Sequence, residues 1–110
     1  MSIPTQELDA GHGITIHSSR YSNCLMLFAS QVNKIGTIVQ VTADNPEEAP
    51  EHRVYTVETL FGDRDEWNEV LARGIVEVLP EPRLYLCVSL RDKTIDVFKS
   101  VVQTLAQHSP

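Results

Sequence analysis

No run of apolar residues in this 110-residue sequence approaches the ~20 that a membrane-spanning helix needs. The longest, Cys24-Leu25-Met26-Leu27-Phe28-Ala29, is the length of a strand. Basic residues are scarce as well. Nine Lys and Arg stand against fifteen Asp and Glu, for a net charge of -6. A surface of that sign lacks the electrostatic footprint of a nucleic-acid binder, so neither nucleic acid nor membrane is an expected partner. Cysteine is rare: Cys24 and Cys87 both sit in apolar strand-like runs. They read as free buried thiols rather than a disulfide, which suits a reducing compartment, cytoplasm or nucleus. The opening residues Met1 to Glu7 hold no basic region followed by an apolar one, so no secretory signal is expected.

Chemical signatures are missing too. There is no Cys-x-x-Cys or His-Glu-x-x-His, and the histidines His12, His17, His52 and His108 are scattered, so no metal site is expected. Asp63-x-Asp65-x-Trp67-x-Glu69 puts an indole where a calcium loop needs its fifth-position oxygen, and the sixth position is not glycine. Gly11-His12-Gly13 precedes a strand instead of opening a helix, which excludes a phosphate cradle. The one thiol-hydrolase constellation available is Cys24 with His17 and Asp44. Cys24 falls within an apolar strand, with no helix start or cation nearby to lower its pKa, so it reads as a core residue. No cofactor and no catalytic activity are expected.

What the sequence does have is alternation and amphipathicity. Residues 1–12 mix Pro4, Gly11 and charge without period and read as a flexible lead-in to a single domain over residues 13–108. Strands are expected at Ile14–His17, Cys24–Ala29, Thr37–Thr42, Val54–Phe61 and Leu84–Leu90. Asn33 and Gly36, both tolerant of positive φ, suggest a hairpin turn between the second and third of these. Ala43 to His52, with four acids and two prolines, reads as an exposed loop. After Gly62, Asp63 or Asp65 can cap a helix with the stripe Trp67, Val70, Leu71, Ile75, Val78 and Leu79. Gly74 lies on that stripe and suggests a close approach of helix to sheet. Pro80 and Pro82 end it. Thr94 can cap a last helix carrying Ile95, Phe98, Val102 and Leu105. The order ββββαβα implies an α+β fold: an antiparallel sheet of about five or six strands with two helices packed on one face.

That arrangement leaves a surplus. Met26 and Phe28 alternate with Leu25 and Leu27, and Tyr85 and Cys87 alternate with Leu84 and Leu86, so these strands are apolar on both faces. A second apolar face needs its own cover, and a chain this short has no spare element for it. A sheet-to-sheet dimer is the expected answer. Met26, Phe28, Tyr85 and Cys87 are the expected interface residues, although either face of the second expected strand qualifies.

With these elements placed, the chain resembles the proteasome assembly chaperone 3 family over roughly residues 14–105. Three segments carry the resemblance. Arg20 to Val39, through Gln31-Val32-Asn33-Lys34-Ile35-Gly36-Thr37, is similar to the family's apolar strand, Gly-Lys-Met-Gly-Thr-like turn and next strand. Thr59-Leu60-Phe61-Gly62-Asp63 is similar to its Leu-Leu-Gly passage into the first helix. Val88-Ser89-Leu90-Arg91-Asp92-Lys93-Thr94 is similar to its turn before the last helix. The chain departs from the family in a lead-in short of one amino-terminal strand and in the acidic loop Asn45 to Glu51.

The resemblance implies a non-enzymatic chaperone that pairs with itself or with a proteasome assembly chaperone 4-like partner. It also implies binding to an α-type subunit of the 20S core particle and promotion of α-ring formation. The exposed turns Asn33, Lys34, Gly36 and Arg91, Asp92, Lys93 are the expected partner contacts, since recognition residues concentrate on loop tips. The alternative is a small dimeric adaptor of the roadblock or longin kind, working in a signalling or trafficking complex.

Overall fold

A computed structural model describes residues 5–32 and 36–108. Its elements are β1 (Thr5–Asp9), β2 (Thr15–Arg20), β3 (Leu25–Ser30), β4 (Thr37–Ala43), a short 3-10 turn (Pro50–His52), β5 (Tyr55–Phe61), α1 (Glu66–Val78), β6 (Arg83–Ser89) and α2 (Ile95–Gln107). The six strands form one sheet in the order β1-β2-β3-β6-β4-β5. It is an α+β structure with both helices on one face, and the sheet is antiparallel except where β3 runs parallel to β6.

That parallel pair corrects one expectation. β3 and β4 are not a hairpin, because β6 lies between them, pairing Leu25–Ser30 on one side and Thr37–Thr42 on the other. β3 and β4 therefore lie two strand spacings apart, roughly 10 Å. The physical reason is burial. Leu84, Leu86 and Val88 are at most 3% exposed, and a strand so uniformly apolar belongs at the sheet centre.

The amino-terminal end supplies a second correction. Thr5–Asp9, expected within the lead-in, pairs antiparallel with Thr15–Ser19 as the edge strand β1. Its sequence holds one apolar residue, Leu8, so pairing rather than patterning makes it a strand. The connecting turn explains the glycines: Gly11, His12 and Gly13 have φ of 74°, 55° and 72°. Only glycine enters that region without a Cβ clash, and His12 does so between two of them. Gly11 N–H donates to Asp9 Oδ1 at 2.8 Å and Ile14 N–H to Gly11 O at 2.8 Å, closing the turn.

Both helices begin at the expected caps. Asp65 accepts from Trp67 N at 2.9 Å and Thr94 Oγ1 from Val97 N at 3.2 Å. Their buried faces are rotated from the expected stripes. In α1 the buried residues are Asn68, Leu71, Ala72, Ile75 and Val76, and in α2 they are Val97, Val101 and Leu105. Val70 and Ile95 are exposed instead, at 49% and 69%. The cause is helix–helix contact, which shares the apolar surface between sheet and neighbour. A Cβ on Gly74 would stand 2.7 Å from Phe98 Cζ and 3.4 Å from Val102 Cγ2. Gly74 thus marks an approach of helix to helix, not of helix to sheet.

The acidic loop is more ordered than its composition suggests. Arg53 donates to three backbone carbonyls: Pro80 at 2.6 Å, Pro46 at 3.1 Å and Glu48 at 3.2 Å. Asn45 closes it from the other side, donating to His52 O and accepting from Val54 N. One cation therefore pins the loop to the end of α1 by chain geometry rather than by ion pairing.

Two residues make the packing testable. Asn68, third in α1, is 1% exposed, and neither its Oδ1 nor its Nδ2 has a partner among the described residues. A buried unsatisfied amide costs about 1–3 kcal/mol. Asn68→Leu should therefore raise the urea midpoint, by about 1–2 kcal/mol of added stability. At Gly36 a Cβ would lie 1.8 Å from Val88 O, a backbone atom that cannot move aside. Gly36→Ala should lose about 3 kcal/mol in the same measurement.

Candidate partner-binding surface

The helices bury one side of the sheet through Leu25, Leu27, Val39, Val41, Leu84 and Leu86. Alternation sends their neighbours to the opposite side, which no element among the described residues covers. There the pairing sets Met26 beside Tyr85 and Phe28 beside Cys87, with Ile38 across from Cys87 on the next strand. The four residues expected at a dimer interface thus share one patch at the sheet centre. Leu25 and Leu27, the other eligible set, are buried under the helices. Phe28 is 38% exposed, a large apolar side chain in the middle of a sheet facing outward.

Residues that the pattern did not single out extend the patch. Ile38 pairs with Phe61 where the β4–β5 register shifts, and the irregularity leaves Leu60 and Phe61 exposed at 49% and 56%. The alternation of Ile38 with Val39 and Val41 carried a signal for the first of these. No sequence signal locates a bulge. Polar groups frame the patch: Gln40 Nε2 donates to Tyr85 Oη at 3.1 Å, and His17 Nδ1 lies 3.8 Å from Glu7 Oε2. The whole face measures roughly 24 by 20 Å. That is comparable in scale with one side of a standard protein interface, ~800 Å² of accessible surface.

Cys24 and Cys87 are free, and both are half-buried rather than core residues. Burial among the central strands pushes the Cys87 thiol upward, away from thiolate reactivity. Cys24, His17 and Asp44 are not brought together. His17 pairs with Phe28, four residues along β3 from Cys24 and so roughly 13 Å away. Asp44 follows β4, where its carboxylate accepts from Thr56 Oγ1 at 2.9 Å. Among the described residues no group of His, Cys, Asp and Glu is arranged to hold a metal.

Of the two expected contact turns, Gly36 and the residues Arg91–Lys93 stand at one end of the sheet, where β3 and β6 finish side by side. Asn33 and Lys34 lie outside the described residues; Gly36 packs against the end of β6. The organiser is Gln31, which sequence reading passed over. Its Oε1 accepts from Arg91 N at 2.7 Å and Asp92 N at 2.9 Å, and its Nε2 donates to His12 O at 2.8 Å and Asp92 Oδ2 at 3.1 Å. One amide therefore ties together the turns after β1, β3 and β6. Arg91 points to solvent, whereas Lys93 Nζ donates to Asp65 Oδ2 and joins the start of α2 to that of α1.

The Asp65–Lys93 pair sets a pH dependence. The Lys93 ammonium, helped by the amide N–H groups of Trp67 and Asn68, holds the Asp65 carboxyl below the usual carboxylate range. A carboxyl depressed in the folded state stabilises the fold above ~pH 4 and loses that contribution as pH falls through its lowered value. Both side chains are one-third exposed, so the pair contributes at most about 1 kcal/mol. Lys93→Met should lower stability by about 0.5–1 kcal/mol at pH 7, and the difference should shrink toward pH 2 in urea titrations.

Comparison with known proteins completes the description. The family model of proteasome assembly chaperone 3 matches residues 27–108. No curated protein matches the sequence. Among solved structures, the crystal structure of a novel chaperone complex for yeast 20S proteasome assembly shares the fold. Its TM-score is 0.72 at 17% sequence identity, over 97% of this chain and 98% of that chain. The family match covers more than half of the sequence: this chain belongs to the proteasome assembly chaperone 3 family.

Proposed function

We propose that this chain is a non-catalytic assembly chaperone that works as a dimer on the 20S proteasome. The uncovered apolar face of Met26, Phe28, Tyr85, Cys87 and Ile38 is the observation that carries the reading. Membership of an assembly chaperone family supplies its context. Stacking a second sheet on this face, either a second copy or a proteasome assembly chaperone 4-like partner, removes the patch from water at ~25 cal/mol per Å². The dimer then presents the turns around Gly36 and Arg91–Lys93 to an α-type subunit. Holding that subunit promotes α-ring formation and occupies a surface that a β-type subunit later takes. Shape and charge do the work, so no bond is made or broken.

The reading makes two separable demands. Phe28→Glu replaces an exposed ring with a charge that the apolar interface cannot solvate. The variant should keep its circular dichroism but sediment as a monomer at micromolar concentration, with dimer affinity reduced at least about 30-fold, some 2 kcal/mol. The double variant Lys34→Glu/Arg91→Glu should stay dimeric yet recover fewer proteasome α-type subunits on affinity purification from cell extract. A monomeric unmodified chain, purified alone and with a chaperone 4-like partner, would remove the dimer. Undiminished α-subunit recovery by the double variant would remove those turns.

A further inference from the structure

β5 is an edge of the sheet, and among the described residues no other strand closes its outward side. Val54 O accepts from Asp44 N at 2.8 Å on the β4 side. Alternation along the strand then turns the backbone groups of Tyr55, Val57 and Thr59 outward. Arg73 Nη1 reaches Tyr55 O at 3.5 Å, which confirms the direction. The outward N–H and C=O groups of Val57 and Thr59 meet no partner among the described residues. Natural edges are blocked by proline, by lysine or by a covering loop. Tyr55-Thr56-Val57-Glu58-Thr59-Leu60-Phe61 has neither proline nor lysine.

There is room beside this edge. Two clefts run along it, one of about 560 Å³ at the Tyr55 end and one of about 380 Å³ at the Thr59 end, where β5 meets α1. Their charges are unequally committed. Arg53 is spent on three backbone carbonyls, and Arg64 is paired with Glu69 at 3.0 Å. Glu51 and Glu77 line the first cleft beside Arg73 and Glu58 lines the second, and none of the three carboxylates has an ion pair or hydrogen bond among the described residues.

From this geometry we infer that the β5 edge is a second docking site, which takes an extended, lysine- or arginine-bearing segment of a partner protein as a seventh strand. Backbone pairing to Val57 and Thr59 provides the affinity, and a cation opposite Glu58 provides the selection. A second copy of this chain, paired symmetrically about the middle of β5, does not fit. In a symmetric antiparallel pairing of Tyr55–Phe61, Glu58 would stand directly opposite its own equivalent. The backbone groups that pair lie at the sheet edge, whereas the proposed dimer stacks on the sheet centre around Phe28 and Tyr85; Glu58, across from Gln40, stands on the open side of the sheet between the two.

The test uses the full chain and the peptide acetyl-Thr-Val-Lys-Val-Lys-Val-Thr-amide at millimolar concentration, with amide hydrogen exchange read by NMR. The amides of Val57 and Thr59 should slow about tenfold, equivalent to ~1.4 kcal/mol, while those of β1 stay unchanged. The peptide with both lysines replaced by glutamate should give no protection. Glu58→Lys, at an exposed position, should reverse the preference of the two peptides. Unchanged exchange at Val57 and Thr59 would overturn the proposal. Equal protection by both peptides, or protection confined to Met26 and Phe28, would overturn it as well.

Discussion

Two helices of thirteen residues can shield only one side of a six-stranded sheet, and most of this molecule follows from that limit. Side by side they cover roughly 20 Å, close to the width of one sheet face. Everything apolar that alternation sends to the other side remains in contact with water. Here that remainder includes Phe28, Tyr85, Cys87 and Ile38, clustered at the centre rather than dispersed. A fold whose cover is one-sided by construction has its second face ready for a protein partner without any added element.

The insertion of β6 between β3 and β4 turns local segments into a connected surface. It brings the turn after β3 and the turn after β6 to one end of the sheet, although about sixty residues separate them in sequence. Gln31 then ties both to the β1–β2 turn, and Lys93 ties the later one to the cap of α1. Gly36 belongs to the same device for a different reason: no side chain fits between it and the end of β6. What Gly36 provides is the backbone path it permits beside β6, in contrast with the exposed charge of Arg91.

Charge is distributed with comparable economy. The acid surplus of the chain is partly committed: Asp65 to Lys93, Glu69 to Arg64, Glu81 to Arg20 and Asp44 to Thr56. Glu51 and Glu77 in one cleft and Glu58 in another are uncommitted among the described residues. The composition alone makes nucleic acid and membrane unexpected partners. The positions of the unpaired carboxylates mark where a basic protein segment would meet a complementary potential.

Five of the six strands, both helices with their caps, and the double-sided apolar character of two strands were legible in the sequence. Each rests on local periodicity and on the chemistry of Asp65 and Thr94, which act within one turn of the chain. The rest was decided by contacts between distant segments. β1 is a strand because β2 offers it partners, not because of its own pattern. The buried stripe of α2 shifts to Val97, Val101 and Leu105 because Phe98 and Val102 turn toward Gly74. β6 separates β3 from β4 because a strand with no polar face is most stable with neighbours on both sides. Periodicity specifies which residues share a face; only the tertiary pairing decides which face is covered and which is left for a partner.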